Sequence, residues 1–192
     1  MTTPKIDRRV KRTRKVLLDS LTKLLEEKDL KDITVKEISE YSDLNRGTFY
    51  LHYKDVFDMM EQIQAELFDE FNEILSKFSP NGKNDSPYEI LYHSFLFLEK
   101  NKPIAKVLMG PHGDYQFIMS LRNLVKKHIN EVWLKNNFNM EQFEFFYSYC
   151  ISGILGLIQY WIENDTNKTP EQMAALVTQI ILNDPRLYAK KD

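Results

Sequence analysis

A chain of 192 residues, 43% hydrophobic and 12% aromatic, can bury a sizeable core, which excludes extended disorder; 12 Phe and 10 Tyr against 6 Gly favour packed helices over a turn-rich sheet protein. The net charge of −2 excludes a uniformly basic nucleic-acid binder, yet residues 1–54 hold 13 Lys and Arg against 9 Asp and Glu, a net +4, and residues 55–192 hold 13 against 19, a net −6. Cys150 has no disulfide partner, the N-terminus runs into charge instead of an apolar leader, and the longest apolar run, Tyr147 to Ile158, falls short of the roughly 20 residues of a membrane span, so a cytoplasmic protein with a buried Cys150 is expected.

The first feature in chain order is basic. Lys5, Arg8, Arg9, Lys11, Arg12, Arg14 and Lys15 face only Asp7, a net +6 within fifteen residues, enough to hold phosphates by counterion release, with Arg12 and Arg14 as the candidate contacts. The same segment reads as an amphipathic helix over 9–28, with Leu17, Leu21, Leu24 and Leu25 on one stripe. Thr34-Val35-Lys36-Glu37 is a capping box that opens a second, short helix to about Tyr41. Ser42-Asp43-Leu44 breaks the chain, and Asn45 is a suitable N-cap for a third helix over 46–53. Two short helices across a tight turn make a helix-turn-helix over about 33–52.

Asp55, with Asp58 at N3, opens a long helix that keeps Met60, Ile63, Leu67, Ile74 and Phe78 near one face up to Ser79-Pro80. Residues 79–86 are loop-rich, and Ser86-Pro87-Tyr88-Glu89 restarts a helix with an N-cap, a proline at N1 and a capping glutamate. Further helices are expected at 103–109, 114 to about 136, 140 to about 164 and 170 to about 183, where Pro185 closes the last. The expected fold is therefore all-α with about nine helices: three in a basic head, one connecting, and five in an acidic body.

In a helix-turn-helix the second helix enters the major groove with its first residues toward base edges. Asn45, Arg46, Gly47 and Thr48 are short, polar or flat enough for that approach, and Arg46 offers a bidentate guanidinium. Gly47 costs a helix about 1 kcal/mol relative to Ala, a cost that close backbone approach to DNA would explain. Tyr50, His52 and Lys54 continue a polar strip suited to phosphate oxygens, with Phe49 and Tyr53 packing inward.

The run from Ile33 to Ile38 and the run from Asn45 to Tyr53 resemble the N-terminal domain of TetR-type (TetR/AcrR) bacterial regulators, across residues 10–70. The resemblance implies a DNA-binding domain over 9–69, a C-terminal regulatory and dimerisation domain over 70–192, and a homodimer on a palindromic operator in double-stranded DNA. It implies phosphate contacts from Thr34, Tyr50 and His52, with Lys36 beside them, and places Asn45, Arg46 and Thr48 at or near base edges. Two positions depart from the family pattern. Ser42-Asp43 stands where an Ala-Gly pair is usual, a change Asp tolerates through its access to the left-handed conformation. Val56 stands where a lysine usually opens the long helix, and Lys54 is placed to take over its phosphate contact.

In the body, the stretch from Met109 to Asp114 with Phe117, and the later Gly153-Ile154-Leu155-Gly156 with Trp161-Ile162, resemble a C-terminal type found among Firmicute members. The resemblance implies that the helices at 140–164 and 170–183 pair with their copies in a four-helix interface, with Tyr149, Gly153, Gly156, Met173, Val177 and Ile180 as candidates. The penultimate helix itself carries Phe143, Phe145, Phe146, Tyr147 and Tyr149 on several faces, more apolar surface than one neighbour covers. A cavity in the body would be walled by Tyr92, Phe97, Met109, Tyr115, Phe146 and Trp161, though an aromatic stripe at this spacing also suits ordinary core.

His93, His112 and His128 lack a second ligand at metal-binding spacing, so neither a metal nor a cofactor is expected. Without a phosphate-cradling glycine loop, a nucleophile elbow or a catalytic carboxylate pair, no enzyme is expected either. The function expected is that of a homodimeric repressor released by a small-molecule effector that shifts the connecting helix. The alternative is an activator controlled by a partner protein. A long ordered pocket favours the first, and a shallow body with an exposed apolar patch the second.

Overall fold

The computed structural model describes residues 8–77, 87–110, 113–135, 140–164 and 166–182, with the backbone alone at 131–135, 140 and 141. Among the described residues the chain forms nine α-helices, one 3-10 turn and no strand. It divides into two compact units, Met1–Glu66 and Leu67–Asp192. The restart at Ser86, the loop from Ser79, the ends expected at Asn136 and Asn183, and the stop at Pro185 lie outside the described residues.

The first unit holds α1 (Arg8–Leu25), a 3-10 turn (Leu30–Asp32), α2 (Val35–Tyr41), α3 (Arg46–Tyr50) and the first half of α4 (Val56–Lys77). The leucine stripe of α1 becomes core, with Leu17 and Leu21 fully buried, Leu24 nearly so and Leu25 half-buried. Ile38, Phe49, Tyr53, Val56, Met59 and Ile63 are buried with them. α1 ends before the expected Lys28, which lies in the following turn and pairs with Glu37 of α2.

Local chemistry fixes the other boundaries. The Thr34 hydroxyl accepts from the Glu37 amide at 3.2 Å while the Glu37 carboxylate accepts from the Thr34 amide at 2.9 Å, closing the capping box of α2. Asp43 is the one non-glycine residue with positive φ among the described residues, at 53°, and it turns the chain out of α2 in the left-handed conformation expected of it. Asn45 caps α3 by accepting from the Gly47 amide at 2.8 Å, and Asp55 caps α4 by accepting from the Asp58 amide at 2.8 Å. α3 is shorter than expected as a regular helix, yet helical hydrogen bonds run on to Tyr53, whose amide donates to the Phe49 carbonyl at 3.0 Å.

The hydrogen bond from Lys28, followed by those from the Thr34 hydroxyl and amide, lowers the Glu37 pKa from 4.5 to about 2. Because the folded pKa is depressed, the linked stability is fully present above pH 4.5 and is lost as pH falls toward 2. Urea midpoints at pH 5, 4 and 3 should therefore fall faster for the wild type than for Glu37→Gln. Parallel curves would remove the Glu37 carboxylate from this acid response.

The second unit holds the rest of α4 with α5 (Tyr88–Lys100), α6 (Lys102–Met109), α7 (Tyr115–Lys135), α8 (Met140–Glu163) and α9 (Pro170–Leu182). α5 and α9 pack closely, and Phe95, Ala105, Trp161, Ile162, Met173, Ala174 and Val177 form one core cluster. A second cluster, Phe143, Tyr147 and Ile151, is covered by Val125 and Leu155, and the Tyr147 hydroxyl donates to the Arg122 carbonyl across α7 and α8. Cys150 is half-buried rather than buried as expected. Among the described residues one segment, Gln142–Glu163, is long and apolar enough by length and composition to cross a membrane. The apolar run from Tyr147 to Ile158 is shorter because Gln142, Glu144 and Gln159 bound it, whereas the mean over the whole segment is carried by its apolar majority.

Candidate nucleic-acid interface

The α3 helix is held from one side. Phe49 is completely buried and Tyr53 is 3% exposed, and their rings lie 5.6 Å apart. Successive helical residues turn by about 100°, so anchoring Phe49 and Tyr53 inward sends Gly47 and Leu51 outward; both are exposed, as are Tyr50 at the flank and Asn45 and Arg46 at the open N-terminal end of the helix. Thr48 and His52 are half-buried at the flanks, and Lys54 is exposed just beyond the helix. Asn45 uses its side-chain oxygen on the cap, leaving the amide NH2 to donate. Arg46 makes no hydrogen bond or ion pair among the described residues, so its guanidinium fork is available to a guanine edge.

Two of the expected phosphate ligands are engaged within the protein. Arg12 and Arg14 are two residues apart, hence about 200° apart around α1, and only Arg12 points to solvent. The Arg14 Nε donates to the Tyr53 hydroxyl at 3.0 Å, its Nη2 lies 2.6 Å from Glu66, and the guanidinium sits 5.3 Å from the Tyr53 ring centre. Burial works against this charge, but the Tyr53 hydroxyl and then Glu66 outweigh it and raise the Arg14 pKa. Arg14 thus ties α1, the end of α3 and α4 together instead of reaching outward. Thr34 is exposed, but its hydroxyl proton and its amide both go to Glu37, at 2.7 and 2.9 Å, so a phosphate would have to displace a carboxylate. Lys36 is exposed and lies 3.8 Å from Glu40, one turn on, a pairing weak enough to yield to phosphate. Val56 is 4% exposed and belongs to the core, which accounts for an apolar residue there.

The body candidates separate in the same way. A cavity of about 40 Å³ is lined by apolar residues including Leu67, Ile104, Leu108 and Phe117, with Asn101 as the polar exception. Phe97 and Met109 of the expected wall line it. The rest do not. Trp161 meets Phe95 edge-on at 5.4 Å and donates to the Lys168 carbonyl, Tyr92 stacks on Tyr88 and donates to Glu171, Tyr115 is 70% exposed, and Phe146 is half-buried away from the lining. Spacing marked these side chains as apolar or aromatic but could not tell core from cavity wall.

Of the interface candidates, Met173 and Val177 are 3% and 1% exposed because α9 turns them onto the core shared with α5. They are corrected to core residues. Tyr149, Gly153, Gly156 and Ile180 are exposed. On α8, Phe145 and Tyr160 extend the Tyr149, Gly153 and Gly156 positions into one outward stripe at helical spacing. His128 Nε2 lies 3.2 Å from Asn72 Oδ1, and no group of His, Cys, Asp or Glu fit for a metal occurs among the described residues.

Residues 85–183 match the family described as the transcriptional regulator C-terminal region of the TetR type. The chain is 25% identical over 182 residues to the uncharacterised HTH-type transcriptional regulator YxbF of Bacillus subtilis, spanning 88% of this chain but only 44% of that protein, less than half its length. The fold is similar to the fatty acid degradation regulator FadR of Bacillus halodurans, with a TM-score of 0.68 at 14% identity, covering 97% of this chain and 98% of that one. It is also similar to the dihydroxyacetone kinase operon activator DhaS, with a TM-score of 0.60 at 16% identity, covering 93% and 98%. With a helix-turn-helix in its N-terminal unit and more than half its length matched by the family's C-terminal region, this chain belongs to the TetR-type family of DNA-binding transcriptional regulators.

Proposed function

We propose that the chain is a cytoplasmic homodimeric repressor that reads a palindromic operator through two copies of α3 and leaves it when a small molecule enters the body. The observation that carries this reading is the exposed N-terminal turn of α3: Arg46 unpartnered among the described residues, beside an exposed Asn45 and a bare Gly47. In this assignment residues 9–69 are the DNA-binding domain and 70–192 the regulatory and dimerisation domain. Asn45, Arg46 and Thr48 face bases, while Tyr50, His52, Lys54, Lys36 and Arg12 hold phosphates. The exposed stripe on α8 and Ile180 on α9 meet their copies. The apolar cavity lining suits an effector with an apolar body.

Selection from random duplex DNA at fixed salt, with sedimentation to count subunits, tests the core of the proposal. A palindrome with half-sites one helical turn or more apart, bound by dimers, is expected. Failure to enrich any sequence would sink it. On that operator, Arg46→Ala should cost about 1 to 3 kcal/mol and relax preference at one base position, whereas Lys54→Ala should weaken all sequences alike and lower the salt slope by about 1. An equal loss on matched and mismatched sites for Arg46→Ala would remove it from base readout.

A second reading, an activator governed by a partner protein, is favoured by the cavity. A volume of about 40 Å³ is far below the 300 to 1,000 Å³ of typical small-molecule pockets, so an effector would have to open it. The similarity to an operon activator adds that this fold serves activation in another protein. Deleting the gene separates the two: transcription from an operator-bearing promoter rises if the protein represses and falls if it activates.

A further inference from the structure

One residue of α3 and the C-cap that ends it have no explanation inside the protein. Gly47 has no positive φ, and a Cβ built on it would meet only the Oδ1 of Asn45, at 3.4 Å, so neither backbone conformation nor packing requires glycine. Leu51, four residues on, is 81% exposed, the most exposed of the large apolar side chains among the described residues. Isolated exposed leucines are common on protein surfaces and by themselves signify nothing. This pair is not isolated. The Leu51 amide donates to the Gly47 carbonyl at 3.2 Å, so the two lie one helical turn apart on the same line. That line is opposite the side that buries Phe49 and Tyr53, which makes it the most outward line of the helix.

Helical side chains lean toward the N-terminus of their helix, so Leu51 leans over the surface that Gly47 leaves bare. When α3 lies in a major groove, the absent side chain at 47 lets the backbone approach, and the first group met beyond it is an isobutyl group with no hydrogen-bonding capacity. Among base-pair edges the major groove offers one apolar group of matching size, the C5 methyl of thymine. We propose that Leu51 reads a thymine methyl in each operator half-site, at the base step next to the one approached by Gly47. This rests on the placement of α3 in the groove proposed above.

Replacing thymines of the selected operator by deoxyuridine, symmetrically and one position at a time, removes the methyl and leaves every hydrogen bond in place. Burying one methyl corresponds to about a fourfold change in affinity per half-site, or about fifteenfold over the palindrome. The expected result is one thymine per half-site at which deoxyuridine weakens the wild type by that factor and leaves Leu51→Ala unchanged, while Leu51→Met keeps part of the sensitivity. A uniform loss for Leu51→Ala on all operators, or equal deoxyuridine sensitivity in both proteins, overturns the proposal. Selection that enriches no operator would instead bring down the groove placement of α3, and this inference with it.

Discussion

Gly156→Trp should leave each protomer folded and lower operator affinity by about two to four orders of magnitude, the gain that linking two modest binding modules supplies. Among the described residues a Cβ on Gly156 or Gly153 meets nothing within 4 Å, and both positions are exposed, so a larger side chain has open space to enter. Replacing a helical glycine also removes an unfavourable propensity of about 1 kcal/mol, which works against unfolding. In the proposed dimer the indole would obstruct the approach of a second copy's helix along the stripe where Phe145, Tyr149 and Tyr160 are 74%, 61% and 62% exposed. Three aromatic residues left this open flank a glycine pair that permits close helix approach, as a self-complementary interface requires. Sedimentation should show monomers with unchanged far-UV circular dichroism, and titration should show half-site affinity only. A dimer with wild-type affinity would move the interface off α8.

Phe49→Ala should abolish binding to every DNA sequence by unfolding the head. The ring is fully buried, 5.6 Å from Tyr53 and 5.7 Å from Tyr50, and truncating such a residue costs about 3 to 5 kcal/mol. A unit of 66 residues commands about 3 to 10 kcal/mol in total, so most of its stability is lost. The core formed by Phe95, Trp161 and Val177 contains none of these atoms and should keep its protection. Hydrogen exchange followed by mass spectrometry should find faster exchange in α2 and α3 and unchanged exchange in α5 and α9. Acceleration spread evenly over both units would show that they unfold as one. Tyr50, the neighbouring residue at 58% exposure, provides the contrast: Tyr50→Ala should change stability by no more than about 0.5 kcal/mol.

What could be read from the sequence follows a physical boundary. The capping box at Thr34 and Glu37, the caps at Asn45 and Asp55, and the left-handed turn at Asp43 each depend on groups within about four residues, so composition and spacing sufficed to place α2, α3 and the start of α4. The leucine stripe of α1 was equally legible, because an amphipathic helix declares its buried face by its own periodicity. The helix-turn-helix and the inward turn of Phe49 and Tyr53 follow from these local rules together.

The rest needed the tertiary structure, because it depends on partners distant in sequence. Arg14 looked like Arg12 until Tyr53, Gln62 and Glu66 were brought beside it from 39 to 52 positions away. α8 is apolar on several faces, so its periodicity did not say that Phe143 would be buried and Phe145 left open; the packing of α7 on one side decided it. Met173, Val177 and Trp161 could have served an interface or a cavity; the contact of α9 with α5, and of Trp161 on α8 with Phe95 on α5, made them core. The sequence by itself determined where helices begin and which chemistry the head presents, since those are contests between neighbouring groups. Which apolar face is covered, and which charge is neutralised, was decided only when the fold chose each residue's distant neighbours.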